Sequence, residues 1–141
     1  MDQRLEQAWW GLRIGLGVGP FLAGLDKFFN VLVDWEKYLS PIFTRVVPLS
    51  PRVTMGAVGV IEMIVGILVL TGMTRIGGYV VAAWLTLIAI NLVTTGQYFD
   101  VAVRDLEIAL AAFTMARLSE VRARVGARDA SLGSALRTRA A

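Results

Sequence analysis

Five charged residues in this chain fall where charge is expensive. Lys27 closes one apolar run, Glu62 sits inside a second, and Arg104, Asp105 and Glu107 enter another. A charge at the centre of a membrane span costs at least ~2.5–3.5 kcal/mol on insertion scales, so such groups turn inward and pair. With Asn91 they form the candidate polar set. Two chemistries follow from it. In one, ion pairs such as Glu62 with Arg104 and Lys27 with Asp105 fix the register of helices. In the other, Arg104 and Lys27 attract the oxygens of a small polar or quinone-like head group, while Glu62 or Asp105 handles protons. No residue is assignable as catalytic. Cys and His are both absent, which removes thiolate redox chemistry, Cys-ligated clusters and His-ligated haem or zinc. No metal site is expected, and no cofactor of the chain's own; a bound quinone remains compatible.

The elements that carry these residues are apolar beyond the soluble norm. Of 141 residues 56% are hydrophobic and the mean hydropathy is +0.64, against roughly 45–50% apolar in soluble domains. Four apolar stretches span 9–29, 53–71, 76–95 and 101–118. Uninterrupted runs such as Ile64 to Leu70 do not alternate, which excludes a barrel and leaves helices. The expected fold is all-α, an integral membrane bundle of four helices over 1–118, followed by a basic tail at 119–141. The links at 72–75 and 96–100 are short and force antiparallel neighbours. The longer segment 30–52, with Trp35, Tyr38, Pro41, Pro48 and Pro51, reads as an interfacial helix and a proline-broken loop. The tail reads as mobile outside the bilayer.

Orientation follows from the basic residues. Arg4, Arg75, Arg122, Arg124, Arg128, Arg137 and Arg139 fall on one side, and Lys37, Arg45 and Arg52 on the other. The positive-inside rule then puts both termini in the cytoplasm of a multi-pass protein of the inner (plasma) membrane. The first residues lack a basic n-region and a cleavage site, so helix one is expected to stay. The net charge of +3 reads as lipid orientation rather than nucleic-acid binding. Glu62 and Glu107 should lie roughly 10–14 Å below the outer surface.

Small residues mark expected packing faces: Gly11, Gly15, Gly19 and Ala23 in helix one, Gly59 and Gly66 in helix two, Gly78 and Ala82 in helix three, and Ala109, Ala112 and Ala116 in helix four. Pro20 should bend helix one. Arg13 reads as a snorkelling anchor, and Trp9, Trp10, Trp35 and Tyr38 as interfacial belt residues.

The order of these features resembles the DoxX/DoxD-like family of small four-helix membrane proteins. The matching pieces are Arg13 and the glycine-rich run into Phe21-Leu22-Ala23-Gly24-Leu25-Asp26-Lys27-Phe28, then Glu62 within Gly59 to Gly66. The turn Gly72-Met73-Thr74-Arg75 and Arg104-Asp105-Leu106 complete them, so the likeness covers 13–118. The resemblance implies functional weight on Lys27, Glu62, Arg104 and Asp105. It also implies a role beside thiosulfate:quinone oxidation or other membrane complexes of sulfur metabolism and oxidative stress. Lacking Cys, this chain departs from any thiol-based scheme. The expected function is a subunit of a larger oxidoreductase or electron-transfer complex, not catalytic alone, shaping a quinone-side pocket. The alternatives are a purely structural accessory subunit and, third, a small-solute carrier, for which inverted repeats are not evident.

Overall fold

The computed structural model describes residues 3–140. Among them the chain is all-helical: α1 (Gln3–Asp26), a 3-10 turn (Trp35–Tyr38), α2 (Pro41–Val46), α3 (Pro51–Leu70), α4 (Thr74–Thr94) and α5 (Phe99–Ala140). Two helices, α3 and α4, are long and apolar enough to cross a membrane. Only 39% and 28% of their apolar stretches is buried within the molecule. A core helix of a water-soluble protein would hide most of that surface.

Local signals set the boundaries. Ser40-Pro41 and Ser50-Pro51 each start a helix: the serine hydroxyl accepts from a first-turn amide (Ile42 and Val53), and proline occupies the first turn. Gly72 (φ 103°) and Gly96 (φ 71°) take left-handed backbone where α3 and α4 end. α1 runs unbroken through Pro20. The segment after Leu118, read from sequence as a mobile tail, is instead a continuation of α5. Its Ala, Arg and Leu residues are good helix formers, and a helix begun at Phe99 propagates into them without a new nucleus.

The helices pack in two close pairs, α1 with α3 and α4 with α5, which meet mainly through α3 and α4. Glycine makes the first pair close. Gly17 lies opposite Gly66 and Gly24 opposite Gly59 in an antiparallel crossing; a Cβ on Gly59 or Gly66 would sit 2.5 Å from the facing glycine's carbonyl oxygen. The second pair uses Gly78 against Ala112 and Ala116, residues with the small-side-chain spacing expected of a packing face. The four-residue ladder on α1 is not the seam. Gly11, Gly15 and Gly19 have nothing within 4 Å of where a side chain would begin, and the contact instead falls on Gly17 and Gly24, two turns apart. The core between the pairs holds Leu16, Val65, Val69, Val81 and Met115.

Gly59→Val should therefore cost about 1–3 kcal/mol or more, because the facing atom is backbone and cannot yield. Gly15→Ala should stay within about 1 kcal/mol, or stabilise, since it only improves helix propensity. Unfolding of both variants in detergent checks the contrast; equal losses would place the seam elsewhere.

Candidate functional site

Lys27 lies just past the end of α1, and its side chain folds back along the helix, the direction that Cα–Cβ geometry favours. There its Nζ is 3.4 Å from the Ala23 carbonyl, one of the unsatisfied acceptors at a helix C-terminus. It reaches Glu62 Oε2 at 2.5 Å across the glycine seam, and both side chains are more than nine-tenths buried. The Gly24–Gly59 approach brings α1 and α3 close enough for this reach. Trp35 covers the ammonium with its ring, 3.7 Å from Nζ to centroid, so Lys27 has an anion on one side and a π face on another.

Trp35 is itself held. Its Nε1 donates to Asp26 Oδ2 at 2.8 Å, while Asp26 also accepts from the amides of Val31 and Leu32, each at 3.0 Å. Asp26 thus folds the segment after α1 over the ion pair. Asn91 does the same from α4: its Nδ2 donates to the Tyr38 carbonyl at 2.8 Å and its Oδ1 accepts from the Ser40 amide at 3.1 Å. Asn91 belongs to this clamp rather than to the charged centre.

Asp105, on α5, is buried and lies near enough to Glu62 and Lys27 to act on both electrostatically. Its Oδ1 accepts from its neighbour Arg104, Nη2 at 3.1 Å and Nε at 3.2 Å, while the Arg104 side chain stays 61% exposed. The pairing expected from sequence is exchanged: Lys27 takes Glu62, and Arg104 takes Asp105. Trp84 brings α4 into the same centre. Its indole N–H is buried beside Glu62 without meeting hydrogen-bond geometry to any partner. Glu107 is exposed on the other side of α5 and takes no part. The centre therefore draws Glu62, Trp84 and Asp105 from α3, α4 and α5, and Lys27 from the turn that ends α1. Among the described residues no group of acidic side chains is arranged to hold a metal ion.

A second polar layer ties the opposite end. Arg13 donates to the last carbonyls of α3, Val69 at 3.1 Å and Leu70 at 2.6 Å, so it caps that helix rather than only anchoring in the interface. Trp9 is not a belt residue: it is 3% exposed, and its Nε1 donates to Ser119 Oγ at 2.8 Å. Arg122 lies over the Trp9 ring and pairs with Glu6. Tyr79 Oη donates to Glu120 at 2.9 Å, which also pairs with Arg75 and Arg117. Sequence reasoning left Asp26 out of the candidate set, missed Trp84, and gave Arg13 and Trp9 of this layer other roles. Asp26 with Trp35 nine residues on, inside a loop, was the available signal for the first.

No protein-family model, characterised protein or solved structure matches this chain.

Two outcomes follow from this geometry. Lys27→Met or Glu62→Leu alone should destabilise by about 3–5 kcal/mol, because each strands a buried charge, while the double change should lose much less than the sum. Additive losses in denaturant unfolding would show that the two do not pair. At the other end, the Tyr79 hydroxyl bond holds the Glu120 carboxyl below its ordinary value of 4.5, aided by Arg117 and Arg75. A depressed carboxylate stabilises the fold above that value and loses the contribution as pH falls through the lowered one. Tyr79→Phe should flatten the stability profile below about pH 4.5; an unchanged acid limb would remove Tyr79 as the cause.

Proposed function

We propose that this chain crosses the inner membrane four times, both termini in the cytoplasm, and serves as a DoxX-like accessory subunit of an oxidoreductase or electron-transfer complex. One observation carries the reading: four of the five charges placed in the apolar zone are closed on one another, Lys27 on Glu62 and Arg104 on Asp105, and the fifth, Glu107, is exposed. A bundle satisfied in this way needs no ligand to complete it, and its outer faces are left for lipid and neighbours. α3 and α4 supply two spans by hydropathy alone. α1 and α5 are taken as the other two because they pack along that pair and turn large apolar side chains outward, among them Ile14 and Leu22, and Val103 and Leu110. Without Cys or His, electrons would pass through a partner's cofactor and not through this chain.

The second reading, a quinone head-group pocket, is favoured by the buried Trp84 N–H, which lies beside Glu62 without a well-formed hydrogen bond. Such a donor suits a carbonyl oxygen.

Reporter fusions after Gly72 and Arg128 should read cytoplasm, and one after Pro48 the outside; an external signal at Arg128 overturns the topology. In mild detergent the chain should co-purify stoichiometrically with a redox-active complex. If it comes away alone, and a quinone analogue raises its Tm in a manner lost with Trp84→Phe, the pocket replaces the accessory role.

A further inference from the structure

The second half of α5 is largely exposed among the described residues. Near the start of this segment Arg122 ties α5 to Glu6 and Trp9 of α1. From residue 124 to 140 the helix continues for roughly 25 Å, with nearly all of its described side chains exposed. Helices this short are marginal in water when unpacked, and Gly126 and Gly133 weaken this one further. The segment is helical because it propagates from α5, and its exposed surface is what is left for a partner outside the chain.

The surface says what kind. Val121, Val125, Leu132 and Leu136 recur at four- and seven-residue steps, so they line one stripe of the helix, and Arg128 and Arg139 fall in the same stripe. The whole net charge of the protein resides here. Residues 119–141 carry five Arg against Glu120 and Asp129, a net +3, equal to the +3 of the complete chain. The remaining 118 residues are balanced.

We propose that this half of α5 docks an acidic helix of a partner protein on the same face of the membrane. A second copy fits poorly. Two chains inserted in the same orientation would present their α5 extensions in parallel, setting Arg128 on Arg128 and Arg139 on Arg139 along the seam. An anionic lipid surface also fits less well. α5 leaves the bundle without a break, along its own axis, and two of the arginines interrupt the apolar stripe instead of flanking it. A facing helix with aliphatic seam residues and carboxylates opposite Arg128 and Arg139 satisfies both patterns. The proposal rests on the accessory-subunit reading for its setting and adds the chemistry of the contact.

The test places the full chain in neutral phosphatidylcholine nanodiscs. It is titrated with a synthetic helical peptide carrying leucine along its seam and glutamate opposite the two arginines. A scrambled peptide of the same composition is the control. The seam peptide should bind at least about ten-fold more tightly, and Leu132→Asp should weaken it by about ten-fold or more. Ser134→Asp, on the opposite side of the helix, adds the same charge and should leave binding within about three-fold. Unfolding of the bundle should be unchanged in both variants. Equal binding of the two peptides, equal loss in the two variants, tighter association with anionic phosphatidylglycerol discs than with the seam peptide, or cross-linking of two α5 extensions in one disc would each overturn the proposal. The assay contains no redox complex, so failure here bears on the contact alone; failure to co-purify bears on the accessory reading.

Discussion

Lys27 and Glu62 cannot be left apart. Each is an ion in surroundings too apolar to solvate it, and stranding either costs more than any single apolar contact in the molecule contributes. Much of the architecture serves that meeting. Gly24 and Gly59 bring α1 and α3 together closely enough for Lys27 to reach. Trp35 closes the remaining face, Asp26 holds Trp35, and Asn91 pins the following turn to α4. The lack of a side chain at these two glycines is thus an electrostatic device as well as a packing one: a bulkier residue at either position would push the charges apart.

The two polar layers divide the labour. The layer around Lys27 is built of short-range bonds inside a covered centre. The opposite layer, with Arg13, Trp9, Tyr79 and Glu120, fastens helix ends: Arg13 satisfies the C-terminal carbonyls of α3, and Trp9 bridges α1 to α5 through Ser119. Between them lie aliphatic side chains, Leu16, Val65, Val69 and Val81, with no hydrogen bonds to direct their packing. Polar groups at both ends set register in a middle that could otherwise slide.

The helical class, the approximate positions of the long helices and the charged members of the centre were legible in the sequence, because each is written locally: apolar runs, and charge in the wrong place. Lys27, Glu62 and Asp105 lie together in the structure. Which charge meets which was not legible. The choice between Arg104 and Lys27 for Glu62 depends on the crossing of α1 over α3, and that crossing is set by Gly17 and Gly24 rather than by the more regular ladder of Gly11, Gly15 and Gly19. Trp9 gave the same difficulty: a tryptophan near a helix start resembles an interface anchor until Ser119, 110 residues on, supplies its acceptor. The continuity of α5 was hidden by composition, since an Arg- and Ala-rich segment suits a solvated tail and a helix equally.

Trp35 joins a surface loop to a buried ion pair, through a hydrogen bond to Asp26 and a ring face on Lys27. The loop after α1 and the centre of the bundle are therefore one cooperative unit of local unfolding. The amides of Val31 and Leu32, bonded to Asp26, cannot open to solvent exchange without loosening the cover over Lys27. Protection in a segment near the molecule's surface would then report on the integrity of its interior.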